Sequence, residues 1–176
     1  MTTQANLSIP VETPPSTSLD AARLYREGMI AGVVGALTIA LWFLLLDTLS
    51  GKPLWTPTVL GTALFRGGAG LTTPESVTVS TEMVLMFTWV HGLVFMALGG
   101  LIARLLGHVE RHPGVGFGVL LLFVVVQFGF TVAATIFAAP VLRLLSPWSV
   151  LVANLLAAAA MTAYFRRCHP GLRVDP

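Results

Sequence analysis

Charge is scarce in this sequence: ten Lys and Arg and eight Asp and Glu among 176 residues, 10% in all. A water-facing surface ordinarily carries far more than that. Cysteine is nearly absent as well, with Cys168 standing alone, so an internal disulfide, a thiol-exchange pair and a cysteine zinc site are all excluded. Also missing are HExxH, GxSxG, a phosphate-cradling glycine loop followed by Lys, and an aspartate cluster suited to Mg²⁺. The expectation is a protein that is not an enzyme and holds no metal.

What is present is apolar. Hydrophobic residues make up 55% of the chain, and the mean hydropathy of +0.83 belongs to a protein whose solvent is a bilayer. The net charge of +2 does not point to nucleic acid, because the basic residues sit at the edges of apolar runs rather than in a stripe. The first 18 residues hold three prolines and many Ser and Thr with no apolar block, which predicts a disordered cytoplasmic tail. The first apolar run starts near Gly28 and is long enough to span, so it reads as a retained helix and not a cleaved signal.

The fold class expected is an all-α integral membrane protein with four transmembrane helices in an antiparallel bundle. Spans are drawn at about 28–49, 83–106, 115–139 and 148–165, within a transmembrane domain of 19–167 that a short cytoplasmic tail, 168–176, follows. Each has about the 20 apolar residues that a hydrocarbon core of about 30 Å requires. Arg23, Arg26, Arg104, Arg111, Arg166, Arg167 and Arg173 fall on one side, against Lys52, Arg66 and Arg143 on the other. Both termini are therefore expected on the cytoplasmic side of a membrane that is bacterial in style, the inner membrane.

Small residues recur every fourth position. Gly28, Gly32, Ala36 and Ala40 line the first span, Gly99, Ala103 and Gly107 the second, Gly114 and Gly118 open the third, and Ala153 and Ala157 occupy the fourth. Such faces let helix backbones approach closely, either inside the bundle or against another chain. The external segment, 50–82, contains Thr56 and Pro57 as a cap and first-turn pair and Gly67 and Gly68 as an end signal. A short interfacial helix over 57–66 follows, with Val59, Leu60, Ala63 and Leu64 on one face. Thr73, Pro74 and Glu75 repeat the start signal. The glycine-rich tip that follows Arg66 is either a plain connection between two helices, the preferred reading, or the place for a lid or a partner contact.

The polar residues inside the spans carry whatever chemistry exists. Depth counting puts Thr38, His91 and Gln127 near the midplane and Asn154 nearer the outside, with Gln127, Thr131 and Thr135 on one face. His91 either hydrogen-bonds Thr88, Gln127 or Asn154, or faces an ion, a quinone, or a haem or chlorophyll as single axial ligand. No second intramembrane histidine supports a bis-histidine haem. Asp47 and Glu82 sit at the outer ends of their spans: together they flank an entrance, or Glu82 serves the helix N-terminus while Asp47 stays solvated or pairs with Lys52 or Arg66.

Two functions of different kinds are compatible with these residues, and the first is preferred. One is a non-catalytic accessory or assembly subunit of a larger membrane complex, without cofactor, whose partners are the bilayer and other membrane subunits or further copies of itself. The other is a small transporter or channel with a polar route through His91, Gln127 and Asn154. A cofactor-binding subunit with His91 on a haem or pigment is a third, weaker fit.

Overall fold

The computed structural model describes residues 17–73, 77–109 and 144–168, with single positions between 124 and 132. Among them are four helices: α1 (Thr17–Leu49), α2 (Trp55–Arg66), α3 (Thr81–Val109) and α4 (Pro147–Cys168). Three, α1, α3 and α4, are long and apolar enough to cross a membrane. These match the first, second and fourth expected spans. The span expected at 115–139, and with it Gln127, Thr135, Gly114 and Gly118, lies outside the described residues apart from scattered positions.

The helices begin and end where local chemistry dictates. Ser80 starts α3, its Oγ accepting the Met83 N–H at 3.4 Å while its carbonyl takes the Val84 N–H at 3.0 Å. Pro147 occupies the first turn of α4, where its missing N–H costs nothing. At the other end of α1, Gly51 turns left-handed at φ 73. The Gly51 N–H reaches the Thr48 carbonyl at 3.0 Å and the Lys52 N–H the Asp47 carbonyl at 2.9 Å, a Schellman closure. With 33 residues, α1 runs about 50 Å. It starts well before Gly28, so its first turns extend beyond any 30 Å core.

The central helix is α1, which packs on α3 along one side and on α4 along another. Its contact with α3 is backbone on backbone. A Cβ at Gly28 would overlap the Gly99 carbonyl and stand 2.6 Å from the Ala103 Cβ; one at Gly32 would overlap the Phe95 carbonyl; one at Gly99 would stand 2.7 Å from the Gly32 nitrogen. The pairs Gly28 with Gly99 and Gly32 with Phe95 show numbering that ascends in α1 as it descends in α3, so the two helices run in opposite directions. The small-residue face of α1 is thus consumed inside the molecule through Gly28, Gly32 and Ala36, while Ala40 is exposed and takes no part in it.

Side chains fill the α1–α4 contact instead. Met161 of α4 lies against Gly35, 2.7 Å from where a Cβ would sit, and joins Ala31, Ala36, Phe95, Ala157, Ala158 and Phe165 in one apolar cluster. Farther along, the Trp42 Nε1–H donates to the Ser149 carbonyl at 3.1 Å. Gly35 meeting Met161 and Trp42 meeting Ser149 again set ascending numbers against descending ones. α4 therefore also opposes α1 in direction, which leaves α3 and α4 parallel to each other.

Enlarging a glycine in this seam should be costly because the obstacle is main chain, which cannot rotate away. Gly32→Val and Gly99→Val are each expected to destabilise the detergent-solubilised protein by about 3 kcal/mol, the upper end of the overpacking range. Gly92→Ala, with nothing within 4 Å of its Cβ position, should unfold at the wild-type temperature or slightly above it. Thermal unfolding followed by circular dichroism separates the two classes.

Candidate functional site

Two groups of polar side chains are candidates, one at the end where α1 leads into α2 and one within the helices. The first is built on a backbone conformation that the sequence does not advertise. Leu54 adopts φ 66 and ψ 15, the one left-handed non-glycine among the described residues, at a cost of about 1–2 kcal/mol. That turn swings the start of α2 back over the end of α1, where the Asp47 carboxylate receives it. The Thr56 backbone N–H donates to Asp47 Oδ2 and the Thr56 hydroxyl to Oδ1, both at 2.7 Å. Two short hydrogen bonds to the Asp47 carboxyl group offset the strain at Leu54.

Three expectations are corrected by this clasp. Asp47 is only 5% exposed, so it is not a solvated carboxylate, and its side-chain oxygens go to Thr56 rather than to Lys52 or Arg66. Thr56 is not the N-cap of α2: Leu54 holds that position without a side-chain bond, and the helix begins at Trp55, two residues before Pro57. The end signal does hold, since Gly67 closes α2 at φ 58. The start signal at Pro74 and Glu75 lies outside the described residues.

The rest of α2 is bound to α3. The Thr58 Oγ1 accepts the Ser80 N–H at 3.3 Å, Gly61 lies against Met83, whose Cβ is 3.0 Å from a Cβ position there, and Arg66 donates to Glu82 at 2.9 Å on the surface. Val59 and Ala63, buried between these ties, join Leu71, Leu145 and Val150 in a second apolar cluster. Asp47 and Glu82 consequently hold opposite ends of α2, roughly 15 Å of helix apart. They are not brought together as a pair.

Within the helices, the polar groups turn mostly to backbone. The Thr38 hydroxyl donates to the Val34 carbonyl at 2.8 Å and the exposed Thr88 hydroxyl to the Val84 carbonyl at 2.7 Å, each one turn back on its own helix. Thr88 is therefore not the partner of His91. The half-buried imidazole lies between Phe87, 5.5 Å away and stacked, and Phe95, 4.7 Å away and tilted. Its Nε2 faces the Ala36 carbonyl of α1 at 3.4 Å. Asn154 is 3% exposed and has an interaction partner. It falls between Ser149 and Met161 on α4, as Ala36 falls between Gly35 and Trp42 on α1, so His91 and Asn154 lie in the same stretch of the molecule. Thr131 is exposed and Gln127 lies outside the described residues.

Two functional contacts escaped the sequence reading. The aromatic pair around His91 was available from spacing alone, since Phe87, His91 and Phe95 recur every four residues on one helix face. Trp42 gave a weaker signal: an indole N–H inside an apolar span has to find an acceptor. Among the described residues no cluster of three or more His, Cys, Asp or Glu could hold a metal ion. Comparison of the chain with known family models, with curated proteins and with solved structures found no match.

The clasp makes a quantitative expectation. Asp47→Ala leaves the buried Thr56 N–H without its acceptor and should cost about 2–3 kcal/mol, while Thr56→Val removes one of the two bonds and should cost about 1 kcal/mol. In a double-mutant cycle the two losses should fall short of additive by at least about 0.5 kcal/mol, measured by equilibrium unfolding in detergent.

Proposed function

We propose that this chain is a four-span integral membrane protein with both termini cytoplasmic, acting as a non-catalytic accessory or assembly subunit in a bacterial inner membrane. The direction of the three long helices supports the fourth span. α3 ends beside the start of α1, where Arg104 reaches Tyr25 at 3.2 Å, while α4 begins beside the end of α1, where Trp42 meets Ser149. A return crossing between these two ends is what we assign to 115–139, a run without a single charged residue. That run has the length a crossing requires. With it the helices make an antiparallel four-helix bundle, and α2 lies at the outer interface.

Orientation rests on charge. Arg23, Arg26, Arg104, Arg166 and Arg167 gather at the end where α1 begins, whereas the opposite end has Lys52 and Arg66 beside Asp47 and Glu82. Basic residues are retained on the cytoplasmic side, so the α2 end is external.

The single observation that favours a subunit over a catalyst or a carrier is where the described polar groups of the helices are directed. Thr38, Thr88 and Thr162 bond the backbone of their own helices, His91 faces a main-chain carbonyl, and Asp47 anchors α2. Each of these has its partner within the protein. Meanwhile Trp89 and Trp148, 70% and 75% exposed, present large aromatic surface to lipid or to neighbouring subunits.

Topology is tested by cysteine labelling in intact cells with a membrane-impermeant maleimide. An Ala69→Cys variant in a Cys168→Ser background should label from outside, and native Cys168 only after permeabilisation; the reverse pattern inverts the orientation. Function is tested by purification in mild detergent. A colourless preparation that brings stoichiometric partner chains supports the subunit reading, and a Soret or chlorophyll band that His91→Ala abolishes replaces it with a cofactor-binding one. Flux into proteoliposomes that His91→Ala lowers at least tenfold would establish the transport alternative.

A further inference from the structure

Resting on the membrane reading above, we propose that the arginine rim at the Tyr25 and Arg104 end of the helices binds the phosphate of an anionic phospholipid headgroup. Three helices bring their charge to one level. Arg104 of α3 donates from Nη1 to the Tyr25 hydroxyl of α1 at 3.2 Å. Phe165 of α4 shares an apolar cluster with Ala103 and, packed against it, Leu24, so the Arg166 and Arg167 that follow Phe165 emerge at the same height.

Among the described side chains at this rim, five arginines stand against one carboxylate, Glu27, which already holds Arg23 at 3.0 Å. Arg26, Arg104, Arg166 and Arg167 make no ion pair with a described residue, and all four are exposed. The helix dipole favours Arg166 and Arg167, which lie in the last turn of α4. It does not favour Arg104, which stands more than a turn before the end of α3 and is tied to a phenol.

That pairing has a specific chemical consequence. The phenol accepts from the guanidinium and so orients it, yet it neutralises nothing and keeps its own O–H to donate. A guanidinium and a hydroxyl side by side offer convergent donors to the two non-bridging oxygens of a phosphodiester. Tyr25 is 41% exposed and lies over Gly100, with its Cδ1 3.8 Å from where a Cβ would be. The donor pair is therefore held at the lipid-facing edge of the α1–α3 seam rather than on a freely moving side chain. Exposed Met29 and Leu101 continue that edge toward the hydrocarbon, so acyl chains meet apolar surface where the headgroup meets cations. Basic positions between helices on the cytoplasmic side suit anionic lipid for the same reason.

The test uses the intact chain in a mild non-ionic detergent, titrated with phosphatidylglycerol or phosphatidylcholine, with bound lipid counted by native mass spectrometry. Wild type should hold phosphatidylglycerol at least tenfold more tightly. Arg104→Gln with Arg166→Gln and Arg167→Gln should erase that preference while the helical circular dichroism stays intact, the corresponding Lys triple should weaken it without erasing it, and Arg66→Gln at the opposite end should leave it unchanged. Equal binding of the two lipids by wild type, a preference that survives the Gln triple, or its loss on Arg66→Gln would each overturn the proposal. So would displacement by millimolar inorganic phosphate, which would make the rim a site for the free anion. A chain that stays soluble without detergent and carries neither lipid would instead refute the membrane reading beneath it.

Discussion

The approach of α1 to α3 through glycine organises the rest of the molecule. In lipid the hydrophobic effect cannot drive helices together, because acyl chains are as apolar as leucine; contact has to come from packing at short range. At Gly28, Gly32 and Gly99 there is no room for one additional carbon, so the two backbones gain dispersion contacts along several turns. Once that seam is set, the adjoining flank of α1 is left to receive α4, and there the filling atoms are the Met161 thioether and the Phe95 and Phe165 rings.

The seam also fixes what can happen at its ends. Beyond it, α1 and α3 are joined by α2, which is bound to α1 through Asp47 and Thr56 and to α3 through Thr58, Gly61 and Arg66. α2 thus acts as a crosspiece that holds those two helix ends in the same relation as the glycines hold the middle. At the far end Tyr25 and Arg104 repeat the connection in polar form. His91 belongs to this scheme as well: it sits one four-residue step along the same register, opposite Ala36, held between two phenylalanine rings.

Much of this was legible in the sequence, and the reasons the rest was not are physical. Long apolar runs announce membrane helices because composition alone decides them, and three of the expected spans are there. The four-residue spacing of Gly28, Gly32 and Ala36 announces a close-packed face, but spacing carries no information about which helix fills it, and Ala40 shows that the repeat runs past the contact. The Asp47 to Thr56 clasp was hidden because it depends on one left-handed leucine, a conformation no local rule assigns to Leu54. Reading Asp47 as solvated failed for the same reason. For His91, counting along the helix indicates depth but not direction: the partner is a main-chain carbonyl, and every residue has one.

The most direct measurement is disulfide cross-linking across the seam, in a Cys168→Ser background, between cysteines placed at Ala36 and His91. The account predicts a cross-link within minutes of mild oxidation for this pair and none for Ala36 with Val84, two turns out of register. Equal cross-linking of both pairs, or of neither, would contradict the register on which the rest of the structure depends.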